Sequence, residues 1–325
     1  MPDPVPDVSR PRPRLGLGLA ALGRPAYVTG GRADDLGADR TVETMRSRTH
    51  AMLDLAYERG VRYLDAARSY GLAEEFLHDW LDARPDVDDV FVASKWGYTY
   101  VGDWRTDVDV HEVKDHSLAA FDRQRRETQA LLADRLSLYS IHSVTPQSPA
   151  LADSELLGEL ARWSAESGVR IGLSTSGPQQ REVVLQALQT EVDGRPLFSA
   201  VQATWNVLDP SAGPALQQAH DAGWLVVVKE GVANGRLAGA EAPPALSAAA
   251  DRAGVTADAL ALAIAVAQPW SPTVLSGAVT AAQLDANLAA AEVEAATAFE
   301  AERALAHLVE PPDFYWRSRS TRPWA

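Results

Sequence analysis

The stretch TMRSRTHAMLDLAYERGVRYLDAARSYG (44–71) decides the fold, because a helix in it hands over directly to a buried strand. Met45, Met52, Leu53, Ala56 and Tyr57 recur at helical spacings through 44–58. Gly60 then stands where a helix end favours a residue free to take a positive φ. Residues 61–67 follow as a short apolar run whose far end turns polar at Asp65 and, just beyond, at Tyr70.

Working outward, the same alternation recurs. Short β-branched or apolar segments occur at 14–20, 61–67, 90–94, 136–142, 169–174, 199–205, 224–229 and 273–277. Several are nearly unbroken apolar runs, the pattern of parallel strands covered on both faces. Helical stretches separate them. Ser154 precedes one with Leu156, Leu157, Leu160 and Trp163 on a single stripe, ending at Gly168, and Thr256 and Thr280 stand as N-caps ahead of Ala-rich helices. Eight strand–helix repeats predict an α/β fold of the (β/α)8 TIM-barrel class. No linker rich in Gly, Ser or Pro divides the chain, so 14–325 is expected to be one barrel domain with an extra C-terminal segment. The Pro-rich stretch 1–13 reads as a disordered tail, not a signal peptide.

The 325 residues carry a formal net charge of -14, with 30 basic residues against 44 acidic ones. Such a balance argues against nucleic acid and against anionic membrane surfaces, both of which need concentrated Lys and Arg. The longest apolar run, 259–267, is far short of the roughly 20 residues that span a bilayer. There are no cysteines, which removes disulfides, thiol catalysis and Cys-based metal sites, and suits a cytoplasmic protein. Only Lys95, Lys114 and Lys229 are lysines. A chain so biased toward Arg keeps Lys where a compact ammonium is needed.

Barrel chemistry sits at the C-terminal ends of the strands. There this chain places Asp65 and Tyr70, Lys95, His142, Ser174, Gln202 and Asn206, Lys229 and Glu230, and Ser276. Reducing a carbonyl requires a proton donor at oxygen while hydride reaches carbon. A free Tyr, with a pKa of ~10, needs a neighbouring ammonium to stabilise its phenolate. That ammonium in turn needs a carboxylate such as Asp65, and His142 can orient the carbonyl oxygen.

At these residues the sequence resembles the aldo-keto reductases. YLDAARSYGLAEE (63–75) is similar to the signature carrying the family's Asp and Tyr, while SKWG (94–97) and YSIHS (139–143) resemble the segments supplying its Lys and His. Further likeness runs through GLSTSG (172–177), VQATWN (201–206), KEGVANGRL (229–237) and SGAVTAAQLDANL (276–288). The resemblance implies Tyr70 as general acid, Lys95 as its modulator, Asp65 as partner of Lys95, and His142 as the orienting group. It implies a nicotinamide held by Ser174, Gln202 and Asn206, with the rest of the cofactor along Lys229, Glu230, Gly231 and Arg236 and along Ser276, Gly277, Gln283 and Asn287.

The resemblance favours NADP(H) as the cofactor. Gly277 and Ala278 stand in the family's Lys-Ser region and Gln283 at its Arg position, so NAD(H) stays open; Arg236, Arg317 or Arg319 are other sources of charge. Thr280 and Gln283 also form a T-x-x-Q capping box, a structural reason for the Gln. Trp96, Tyr98 and Trp104 are expected to wall an apolar pocket for a small carbonyl substrate. The substrate's identity, the direction of reaction and the oligomeric state leave no mark on the sequence.

Other readings fit parts of the same sequence. Gly16-x-Gly18-x-x-Ala21 imitates a dinucleotide fingerprint, but Gly23, Pro25, Gly30 and Gly31 forbid the helix it must open. A Schiff-base aldolase would use Lys95 or Lys229 on the same fold. A nucleotide-binding regulatory subunit with little turnover would keep the same four residues. No metal is expected, since the rim lacks a cluster of carboxylates or histidines.

Overall fold

The computed structural model describes residues 15–28 and 35–324. The tail expected at 1–13 lies outside them. Eight parallel strands close a barrel in chain order: β1 (Leu15–Gly18), β2 (Tyr63–Asp65), β3 (Phe91–Trp96), β4 (Leu136–Val144), β5 (Arg170–Thr175), β6 (Ala200–Thr204), β7 (Leu225–Lys229) and β8 (Thr273–Ser276). β8 pairs back onto β1, with Leu17 opposite Ser276. Each lies within or across one of the eight segments read from the sequence.

Helices fill the connections: α1 (Val42–Glu58), α2 (Ala73–Asp82), α3 (Leu118–Leu132), α4 (Ser154–Ser167), α5 (Gln180–Leu188), α6 (Gly213–Asp221), and the pair α7 (Pro244–Ala253) and α8 (Ala257–Ala267) before β8. After β8 come α9 (Ala281–Leu288), α10 (Ala295–Ala304) and α11 (Pro312–Ser320). The caps explain several boundaries. Gly60, at φ 86, ends α1 as expected. In α4 the N-cap is Asp153, one residue before the Ser read from sequence, its Oδ1 accepting from the amides of Glu155 and Leu156 at 3.1 and 3.0 Å. Thr256 and Thr280 cap α8 and α9.

Side chains alternate across a strand, and this sets the barrel's interior in storeys. Tyr63, Ala93, Leu138, Ala200, Val227 and Leu275, one from each of six strands, form an apolar cluster of their own. A Cβ on Gly16 would meet the Tyr63 ring at 2.9 Å and Leu275 at 3.0 Å, so this glycine belongs to the same packed layer. Two residues further along the same strands stand Asp65, Lys95, Ser140, Gln202, Lys229 and Gly277. The polar rim is thus the apolar storey displaced by one pleat.

β4 reaches this arrangement through a bulge. Val92 pairs with Leu136, but Ala93 pairs with Leu138, leaving Ser137 as an extra residue. Leu136 accordingly packs in the large outer cluster, whereas Leu138 packs inside.

The C-terminal segment crosses the mouth of the barrel. Tyr315 and Trp316 of α11 are buried, Arg319 pairs with Glu230 at 2.6 Å, and Arg322 pairs with Glu241 at 2.9 Å. Trp324 stacks on His111 with ring centroids 4.2 Å apart, and the Arg24 guanidinium lies 4.7 Å from its ring. Among the described residues no helix is long and apolar enough to cross a membrane.

Candidate active site

Four strand ends converge on one buried ion pair. Lys95 Nζ donates to Asp65 Oδ2 at 2.6 Å, to the Ala66 carbonyl at 2.9 Å and to the Tyr70 hydroxyl at 3.5 Å. Gln202 Nε2 donates to the other Asp65 oxygen at 2.9 Å. The His142 ring meets the Tyr70 ring edge-on, with centroids 5.5 Å apart. The structure therefore brings Asp65, Tyr70, Lys95 and His142 together.

Tyr70 is not on a strand, so its position depends on the loop that carries it. Gly71, at φ 61, follows it, and a Cβ there would lie 2.4 Å from the Gly23 carbonyl oxygen. Only glycine permits both that conformation and that approach. The loops after β1 and β2 are consequently pressed together, with Leu72 N donating to Gly23 O at 2.8 Å.

His142 is supported from behind. Its Nδ1 lies 3.4 Å from Ser69 Oγ, and its carbonyl is 2.8 Å from His116 Nε2. His116 in turn bonds Ser148 Oγ through Nδ1 at 2.5 Å. Burial, reinforced by the positive charge of Lys95 and Lys229, holds His142 well below the usual histidine range, so it is neutral at neutral pH. Burial, together with the Asp65 carboxylate, pushes the Tyr70 hydroxyl well above its ordinary value, with the Arg24 guanidinium opposing. Burial lowers Lys95, and Asp65 works against that by favouring the ammonium. In this state Tyr70 keeps its proton.

A second cluster lies at the end of β7. Lys229 Nζ donates to Thr204 Oγ1 at 2.8 Å, and Thr204 Oγ1 donates to Glu230 Oε2 at 3.2 Å. Arg319 grips Glu230 through Nε and Nη2, at 2.8 and 2.6 Å to Oε1. Burial pulls Lys229 down to about 8 against the pull of Glu230. Burial alone would raise Glu230, but Arg319 and Lys229 outweigh it and hold the carboxyl at about 2.

A cavity of about 540 Å³ connects these groups. It runs from Tyr70, Asp65 and Gln202, past Lys229, Glu230 and Gly231, to Ser276, Gly277, Gln283 and Asn287. Its size lies within the range of cofactor sites. Asn287 donates to Ser276 Oγ at 2.8 Å, while its Oδ1 is buried with no hydrogen-bond partner. An orphaned acceptor in a cavity wall fits a ligand bearing donors, as the amine and hydroxyls of an adenosine do.

Other residues singled out from sequence lie elsewhere. Ser174 is fully buried, its Oγ accepting from Ser143 N at 2.7 Å. Asn206 spends its amide on Glu230 O and the Tyr315 hydroxyl. Arg236 is paired with Glu310. Trp96 is 0% exposed and packs on Phe121 with ring centroids 5.0 Å apart, because alternation from inward Lys95 turns it toward the helices. Trp104 donates to Arg40 O at 2.7 Å and packs on Phe76. Only Tyr98 of the three expected pocket aromatics meets the site, its ring 5.2 Å from that of His142.

Sequence reading missed Ser69, Thr204, Arg24 and Asp35. Arg24 is 2% exposed, pairs with Glu112 and lies 5.1 Å from the Tyr70 ring centroid. Nothing local in the sequence announces these contacts; the proximity of Ser69 to Tyr70 was the one available signal.

Comparison with solved structures agrees on the architecture. The chain superposes on an aldo-keto reductase from Bacillus halodurans in its holo form with a TM-score of 0.66, at 23% identity and 92% coverage of each chain. A glycerol dehydrogenase from Gluconobacter oxydans gives a TM-score of 0.66 at 18% identity, again over 92% of each chain. Likeness at this identity shows the fold. An aldo-keto reductase from Strobilurus tenacellus is 31% identical over 111 residues, a match spanning 34% of this chain and 30% of that protein's length. Residues 14–303 match the aldo/keto reductase family as a whole, and the chain belongs to that family.

Proposed function

We propose that this protein transfers hydride between a nicotinamide dinucleotide and a small aldehyde or ketone, with Tyr70 as the general acid. The observation that carries the reading is Lys95 Nζ, bonded to both Asp65 and the Tyr70 hydroxyl beside the cavity. Gln202, Glu230, Gly231, Ser276 and Asn287 would hold the cofactor along that cavity. When bound, the nicotinamide supplies or accepts the hydride.

The residues' part in the reaction follows from their charges. Tyr70 stays protonated until negative charge develops on the substrate oxygen. As its proton leaves, the phenolate forms beside the Lys95 ammonium and the Arg24 guanidinium, both already in place. Asp65 keeps Lys95 charged in a buried site, so no reorganisation is needed. With the Ser69 hydroxyl donating to Nδ1, neutral His142 carries its hydrogen on Nε2 and can donate to the same oxygen.

The test is turnover with a panel of small carbonyl compounds and both reduced cofactors. Tyr70→Phe is expected to lower kcat by about 10²–10⁴-fold, the worth of a general acid, while cofactor binding persists. Full activity in that variant would sink the assignment. Binding without turnover in the wild type would favour a regulatory subunit instead. The lowered Lys229 also supports an imine-forming reading. A covalent adduct trapped by borohydride with a ketone would select it.

A further inference from the structure

We infer that this site is built for NAD(H) over NADP(H), with Asp35 as the residue that sets the preference. The inference rests on the cofactor reading above and concerns the end of the cavity farthest from Tyr70.

That end presents acceptors and carboxylates. Asp35, Glu241 and Asp258 line the cavity there together with Gln283 and Asn287, and among its described lining residues the one cation is Lys229, at the Tyr70 end. A 2′-phosphate carries close to two negative charges and no donor at neutral pH, so it needs cations or free N–H groups. A ribose 2′-hydroxyl is a donor as well as an acceptor, and it suits a carboxylate.

Gln283 shows how the position has been committed. Its Nε2 donates to Asp35 Oδ2 at 2.7 Å, and its Oε1 accepts from Val279 N at 3.0 Å. Both ends of the amide are thus engaged, and one of them anchors a carboxylate in the cavity wall.

The amides around the start of α9 are partly committed already. An anion at the start of α9 would be held by its free amides. Here Ala278 N donates to Ser276 Oγ at 3.2 Å, Val279 N to Gln283 Oε1 at 3.0 Å, and Gln283 N to Thr280 Oγ1 at 3.3 Å. Two amides of the preceding loop and one of the first turn are thus spent inside the chain. The expected capping box is correspondingly shifted, since Gln283 reaches Val279 and not Thr280. Arg236, Arg319 and Arg322 are bound to Glu310, Glu230 and Glu241.

The experiment is equilibrium titration of the purified protein with NADH and NADPH, read by tryptophan fluorescence and by calorimetry. NADH is expected to bind roughly tenfold or more tightly than NADPH, and added salt should narrow that gap by screening the repulsion of the 2′-phosphate. Asp35→Asn is expected to shrink the ratio by several-fold, and Asp35→Arg to reverse it. NADH affinity within about an order of magnitude of wild type reports that each variant is folded. Equal or tighter NADPH binding by the wild type overturns the inference, as does an unchanged ratio in both variants. If neither cofactor binds, the hydride-transfer reading falls and takes this inference with it.

Discussion

Lys95 and Asp65 form an ion pair at 2.6 Å whose side chains are only 1% and 3% exposed. Neither can turn to water if the other is lost. Lys95→Met is expected to destabilise the fold by about 3–5 kcal/mol, because it leaves a buried carboxylate whose remaining side-chain partner is Gln202. The double variant with Asp65→Asn should lose much less than the sum of the two single changes. Urea unfolding of the three variants measures this, and additive losses would show that the pair is not coupled.

The Ser69 side chain meets the site at His142 Nδ1, 3.4 Å away. In the proposed tautomer, Ser69→Ala removes the donor to Nδ1 and frees the ring to adopt the other one. Given the proposed reaction, kcat should fall about tenfold, the worth of one hydrogen bond, with KM little changed. A rise in KM at constant kcat would contradict this role.

Glu230 makes stability depend on acid. Its folded value of about 2 lies below the ordinary 4.5, so its contribution is fully present above about pH 4.5 and fades as pH falls toward 2. Full loss is on the order of 3 kcal/mol. Glu230→Gln should therefore be less stable than wild type at pH 7, with the gap closing in acid. Denaturant midpoints at pH 7, 4 and 3 read the trend, and a gap that does not vary with pH would refute it.

Lys229 costs stability where Glu230 adds it, although stability rises with pH through both. Its folded value of about 8 lies below the ordinary 10.5, so burying the ammonium costs most below pH 8, and the cost is relieved between about 8 and 10.5. Wild type should gain stability relative to Lys229→Met across that window. Parallel unfolding curves from pH 7 to 10 would reveal it, and a constant difference would mean that Lys229 is not desolvated.

The strands and the residues at their ends were legible because parallel strands are periodic and follow chain order, whereas Tyr70, on a loop, was read from its resemblance to the family signature. Asp65, Lys95, Gln202 and Lys229 could be placed by counting alone. The same counting, pressed one step further, turns Trp96 outward once Lys95 faces in. Trp104 followed no period, since it sits in a loop at φ 59 and is held by a backbone carbonyl of Arg40. Partners far apart in sequence were beyond reach. Arg236 finds Glu310 across 74 residues and Gln283 finds Asp35 across 248, and no local pattern encodes either meeting.

The extra residue at Ser137 marks the place where β4 can lose a codon without exchanging its faces. Downstream of it, Leu138, Ser140 and His142 share one face of β4, and Tyr139 and Ile141 share the other. Deleting that single codon would pair Leu136 and Leu138 with Val92 and Ala93 by ordinary alternation and leave the imidazole on its face. Losing the codon of Ser140 instead would turn Ile141 to the barrel axis and His142 toward the helices. A one-residue deletion beyond Leu138 should therefore be a graver genetic lesion than the loss of Ser137.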